Sequence, residues 1–148
     1  MDMSSSEAMP PQTLRIIDAS LNRIGEGLRV LEDISRLVLD DRALTQQLKT
    51  MRHEMVRVSR TLNSRLIKAR NSEGDVGIDL EVTGEGKRGE LPEVVVANAR
   101  RVQESMRVME ELAELPGVGL DSEKFKHARF SLYTMEKTLL SGLLHHND

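Results

Sequence analysis

The stretch RIGEGLRVLED, Arg23 to Asp33, is written a second time as RVQESMRVMEE, Arg101 to Glu111, with Arg101 standing 78 positions after Arg23. A second pair of matches follows at nearly the same distance. LKTMR, Leu48 to Arg52, aligns with FKHAR, Phe125 to Arg129, 77 positions on. Each half therefore reads as a helical hairpin, with an Arg/Glu motif on its first helix and Lys-x-x-Arg on its second. This predicts an all-α bundle of two duplicated hairpins related by pseudo-twofold symmetry. A ligand site between the halves would receive the same residue types from both sides.

Hydrophobic spacing supports the same architecture. Ile17, Leu21, Ile24, Leu28 and Leu31 recur every three or four residues, the mark of a helix with one buried face. That helix is expected from about Thr13 to Leu39, stopping at Asp40-Asp41. A second run, Leu44, Leu48, Met51, Met55, Val58, Leu62 and Leu66, is read as one helix ending near Lys68. Pro92 opens a third, carrying Val95, Ala99, Val102, Met106 and Met109, and LPGVGLD breaks it. Asp121 or Ser122 caps a fourth, with Phe125, Ala128, Leu132, Met135 and Leu139 on one side. Aromatic residues make only 2% of the chain and Trp is absent, so Leu, Val, Ile and Met must fill the core.

The organisation is thus a disordered leader over 1–12 and a single helical domain over 13–148. Its parts are a hairpin over 13–70, a loop over 71–91 and a hairpin over 92–145. The loop holds five of the ten glycines and one alternating stretch, VGIDLEV, with the pattern of a short strand. Loops this long inside a compact domain are uncommon and usually functional or disordered.

A net charge of −3 argues against a general nucleic-acid binder. Without Cys there is no disulfide, thiolate ligand or catalytic thiol. No apolar run is long enough to span a membrane, and MDMSSSEAMPPQ lacks the basic and apolar parts of a signal peptide. The expectation is a cytoplasmic protein.

On a helical wheel Asn22, Glu26, Arg29, Asp33 and Arg36 share a polar face. Arg23 falls inside the apolar arc near Ala19, Val30 and Ile34, and Arg101 occupies the equivalent place near Val94, Val108 and Leu112. Glu26 and Glu104 lie one turn on from these arginines. Arg52, Ser59, Asn63 and Arg70 line up beside the second stripe, and Arg129 and Glu136 repeat part of that row. One reading is a cavity between the hairpins in which Arg23, Arg52, Arg101 and Arg129 bind phosphate or carboxylate through guanidinium forks. The other is a set of internal Arg–Glu pairs that fix register in a bundle.

In the loop, Asp75 has the chemistry of a magnesium ligand, and Gly74 and Gly77 would let backbone amides approach a phosphate; the alternative is a plain turn-rich connector. Gly86-Lys87 does not complete a P-loop, because Arg88 follows and Glu81 stands at the first glycine position. His53 and His127 fall on exposed faces. The stripe Ile16, Val30, Ile34 and Leu37 needs a cover, either the other hairpin or a second copy in a homodimer.

LRIIDASLNRIGEGLRVLEDISRLVLDD, the following LKTMRHEM, the loop ARNSEGDVG and ANARRVQESMRVMEEL together resemble the small monofunctional hydroxymethylpyrimidine phosphate kinase family. That domain occurs alone or fused to thiamine-phosphate synthase. The resemblance runs from about Leu14 to Leu144. It departs at Ile78, where the family often has Thr after DVG, and at Gly25, where Ala or a charged residue is common. It implies ATP-dependent phosphorylation of a hydroxymethylpyrimidine phosphate to the diphosphate, with magnesium, and a link to the synthase. Joined to the wheel geometry, it assigns phosphate binding to Arg23, Arg52, Arg101 and Arg129, with Arg70, Lys126, Asn22, Gly74 and Gly77 nearby. Glu26, Glu104 and Asp75 are then the magnesium ligands or orient the arginines. Two further readings stand beside this one. The first is a non-catalytic helical interaction module, and the second another small helical enzyme acting on a di-anionic metabolite.

Overall fold

The computed structural model describes residues 9–83 and 86–146. Five helices follow in order: α1 Pro11–Leu37, α2 Arg42–Val56, α3 Arg60–Ala69, α4 Leu91–Ala113 and α5 Ser122–His146. No strand occurs among the described residues. The part of the expected leader over 1–8 lies outside them. Met9 is already buried, and α1 begins at Pro11 rather than Thr13.

The helices pack as one all-α bundle, three of them before the long loop and two after it. α1 packs along both α2 and α4, α4 packs along α5, and α2 touches α5 to close the bundle. The stripes read from spacing are the core: Ile17, Ile24, Leu28, Leu31, Val95, Val102, Met106, Met109 and Leu132 are sealed from solvent.

One expected helix is two. α2 stops at Val56, Arg57 is extended with ψ 121°, and Ser59 starts α3 by accepting the Leu62 amide on its hydroxyl at 3.1 Å. The apolar spacing runs through this break because α3 folds back on α1 and still turns Leu62 and Leu66 to the core. The expected stop after α1 is also built from side chains. Asp40 adopts a left-handed φ of 52°, a conformation Asp tolerates better than most residues, and Asp41 accepts the Leu44 amide at 2.9 Å to cap α2. Between α4 and α5, Gly117 and Gly119 take positive φ on either side of Val118, which plugs the end of the core.

The two motif helices meet at small residues. A Cβ on Gly27 of α1 would lie 2.4 Å from Val102 Cγ2 and 3.2 Å from the Asn98 carbonyl oxygen of α4. Ser105, which stands in the second motif where Gly27 stands in the first, is also buried. Gly27→Val should force α1 and α4 apart and cost about 2–3 kcal/mol in urea unfolding, an overpacking penalty. A loss below about 0.5 kcal/mol would mean that the helices separate freely. Among the described residues no helix is long and apolar enough to cross a membrane.

Candidate functional site

The outer face of α4 carries Glu93, Val96, Ala97, Arg100, Arg101, Glu104 and Val108, spaced at three and four residues and opposite the core stripe. This face walls a groove of ≈ 1030 Å³. Arg23 of α1 enters from one side, and the loop supplies Gly77, Lys87 and Arg88 from the other. Among the described residues, five cationic side chains face two carboxylates there, in a chain whose net charge is −3. None of Arg23, Lys87, Arg88, Arg100 or Arg101 has a carboxylate within 4 Å among the described residues. Glu93 is occupied, accepting the Gly89 amide at 2.8 Å. Guanidiniums converging from three elements, with Arg88 also donating Nη1 to the Lys87 carbonyl oxygen at 3.0 Å, suit an anion with several oxygens.

The wheel places Arg23 and Arg101 in the apolar arcs, whereas the structure exposes both. The arc edge they share is left uncovered. Ile16 is 46% exposed, Val30 is half-buried, and Val108 is 37% exposed. The neighbouring helices cover the stripe but not its rim.

A smaller polar hollow of ≈ 290 Å³ lies at the start of the loop, lined by Arg15, Asp18, Asn22, Arg70, Asn71 and Asp75. Arg70 grips the buried Asp18 with both forks, Nε to Oδ2 at 2.6 Å and Nη2 to Oδ1 at 2.9 Å. The hydrogen bond to Asp18, helped by its charge, raises the guanidinium above its ordinary value against a smaller effect of burial. Glu26 lines an adjoining hollow that also includes Asn22 and Arg70.

Arg52 and Arg129, expected to hold phosphate, are instead closed on carboxylates. Arg52 Nε meets Glu32 Oε1 at 3.0 Å. Arg129 meets Glu110 through Nε at 2.6 Å and Nη2 at 3.0 Å. Both glutamates are 4% exposed, and they occupy matched places in the two motifs. The reading as register-fixing Arg–Glu pairs therefore describes this half of the arginine set. Its guanidiniums are spent inside the hairpins.

The loop amides are likewise taken. The Gly74 amide donates to Asn71 Oδ1 at 2.9 Å, and the Gly77 amide to Asp75 Oδ1 at 2.8 Å. Lys126 is exposed on α5 and lines none of these hollows. Glu26, Glu104 and Asp75 line three different hollows. Among the described residues no three His, Cys, Asp or Glu side chains gather closely enough to hold a metal ion, so the three-carboxylate magnesium set is not assembled. His53 and His127 are exposed, and His127 Nε2 lies 3.6 Å from Glu123.

The sequence reading missed Arg100, Lys87 and Arg88 as groove residues and Asp18, Glu32 and Glu110 as buried acids. The doublets Arg100-Arg101 and Lys87-Arg88 were visible signals. The repeat itself marks both glutamates, since Glu32 and Glu110 keep the spacing that relates Arg23 to Arg101.

Comparison with known proteins agrees on one group. A thiamine-phosphate synthase of Rhodopirellula baltica is 43% identical over 99 residues, 66% of this chain and 26% of its own length. Those of Prochlorococcus marinus strain MIT 9313 and Nostoc punctiforme are 39% and 32% identical, over 95% and 96% of this chain and 39% of their own lengths. The chain thus spans about two fifths or less of these relatives. No solved structure matches it. These names correct the expected activity: the relatives are synthases, not hydroxymethylpyrimidine phosphate kinases. Residues 15–138 match the ThiD2 family, and the chain belongs to that family.

Proposed function

We propose that this chain is a phosphate-binding helical domain of thiamine biosynthesis, holding a phosphorylated reactant or product of thiamine-phosphate formation in the α1–α4–loop groove. The carrying observation is the set of five cations, contributed by three separate elements, that face the groove without a carboxylate partner among the described residues. The pathway is supported by the relatives' common name, thiamine-phosphate synthase. A synthase portion is the partner with which such a domain would exchange its ligand.

The groove's chemistry fits this role. Guanidiniums that are not neutralised beforehand give their full charge to a phosphate, and each offers two parallel donors. Glu104, which has no ion-pair partner among the described residues, stands on the same wall, disfavours neighbouring carboxylate ligands and leaves room for an amino or cationic group on the ligand's organic part.

Calorimetric titration with thiamine phosphate tests the reading, run beside ATP with magnesium, the cofactors implied by the family resemblance. Binding should weaken as salt rises, by about tenfold between roughly 50 and 500 mM, because exposed charges are screened over the Debye length. Affinity that is indifferent to salt would place the ligand away from this groove.

A further inference from the structure

α5 is apolar on two faces. Phe125, Ala128, Leu132, Leu139 and Leu143 are buried in the core. A second set, Lys126, Phe130, Tyr133, Lys137, Leu140 and Leu144, recurs at spacings of four and three and lies roughly 120° round the helix from the first. Phe130, Tyr133 and Leu144 are 54%, 44% and 66% exposed, both lysines are exposed, and Leu140 is half-buried. Two of the chain's three aromatic residues therefore stand on one open face.

The two rings are held in place. Their centroids are 6.0 Å apart. The Arg129 guanidinium, fixed by Glu110, lies 4.8 Å from the Phe130 centroid and also interacts with Tyr133. The aromatic pair is thus anchored to the buried ion pair between α4 and α5. Side chains already fixed lose little freedom on being covered, and aromatic anchors of this kind carry much of the energy of protein interfaces.

The pattern itself says what covers the stripe. Its spacings of four, three, four, three and four read the same in both directions. A second α5 laid antiparallel therefore meets it residue for residue: Lys126 with the partner's Leu144, Phe130 with the partner's Leu140, Tyr133 with the partner's Lys137, and the same three reversed. No lysine meets a lysine. Each Lys137 ammonium comes beside a tyrosine ring as a cation–π pair, and each Lys126 lays its methylene stem on a leucine with its charge at the open end. A parallel alignment would instead stack Lys137 on its own copy. We propose that two copies of this chain associate through an antiparallel, twofold α5–α5 seam centred near Met135. The seam is isologous, as a twofold contact must be, and runs about 27 Å, roughly five turns of helix. It is separate from the ligand groove, which α1, α4 and the loop build, so the failure of either leaves the other standing.

Sedimentation velocity on the full chain tests the seam. The parent should shift from monomer to dimer as its concentration rises between about 1 and 100 µM. Phe130→Glu should raise the dissociation constant at least about 100-fold, because a twofold seam loses each contact twice. Leu144→Glu, at a more exposed position, should raise it about tenfold with helicity unchanged by circular dichroism, which keeps the test decisive if Phe130→Glu fails to fold. The chain has no cysteine, so Lys126→Cys and Leu144→Cys each introduce a unique thiol. A short bismaleimide should join the two variants when they are mixed and neither variant alone, since like positions stand about 27 Å apart in the antiparallel seam. A parent that stays monomeric at about 100 µM, a dimer indifferent to both glutamates, or linking of Lys126→Cys to itself would overturn the proposal. So would a monomer that floats with phosphatidylserine vesicles, which would assign the lysine-flanked stripe to an anionic lipid surface.

Discussion

Replacing Arg23 and Arg101 together by alanine should lower affinity for thiamine phosphate by about 100-fold, and each single replacement by about tenfold, roughly 1.4 kcal/mol apiece. The figure follows from their placement. A hydrogen bond to a charged group contributes about 1.5–3 kcal/mol, and these forks sit in an open groove where water competes, at the low end of that range. The loss should come without a loss of fold. Neither arginine has a carboxylate partner among the described residues, and both are exposed, so the melting temperature should move by no more than about 2 °C. Arg29→Ala is the control. It is equally charged and lies on the same helix, but it pairs with Asp33 at 3.3 Å outside the groove. If Arg29→Ala and Arg101→Ala weaken binding equally, the effect is one of net charge, and the groove has no claim to be the site.

The same two arginines show what a helical wheel can and cannot deliver. The wheel gives angle, and angle was enough to find the core: Ile17, Leu21, Ile24, Leu28 and Leu31 are all buried. It gives no information on how much of the apolar arc a neighbour covers. Arg23 and Arg101 lie at the rim, and whether a rim is sealed depends on the helix across from it. The break between α2 and α3 escaped for a related reason. Core spacing continues across residues 57–59, and no proline or glycine marks the gap. Only Ser59, three residues before Leu62, carried the capping signal. The strand expected over 76–82 had the right alternation and lacked a partner, which is a tertiary fact. The repeat was legible, but its meaning was divided. Arg23 and Arg101 face a groove, whereas Arg52 and Arg129 are held inside by Glu32 and Glu110, and charge alone does not sort one use from the other.

That division predicts opposite behaviour for the inner arginines. Glu110→Leu should cost about 3–5 kcal/mol, because it leaves the Arg129 guanidinium, with its side chain 15% exposed, without its two charge-assisted bonds. Glu110 holds Arg129 well above its ordinary value, first through the hydrogen bond, with a further contribution from Tyr133. A raised guanidinium stays charged throughout the physiological range, so the orphan cannot escape by losing its proton; that stabilisation fades only at strongly alkaline pH. For a chain of this size the melting temperature should fall by about 10 °C. Adding Arg129→Met should restore most of the loss, since removing both charges replaces the pair with apolar packing of similar volume. Glu32→Leu should cost about half as much, in keeping with the single 3.0 Å bond to Arg52 and the more open Arg52 side chain, 19% exposed. A double-mutant cycle on each pair separates these outcomes. If Glu110→Leu and Glu32→Leu are both near neutral, the buried pairs do not set the register of the two hairpins. The repeated Arg/Glu motif would then have to be explained by the groove alone.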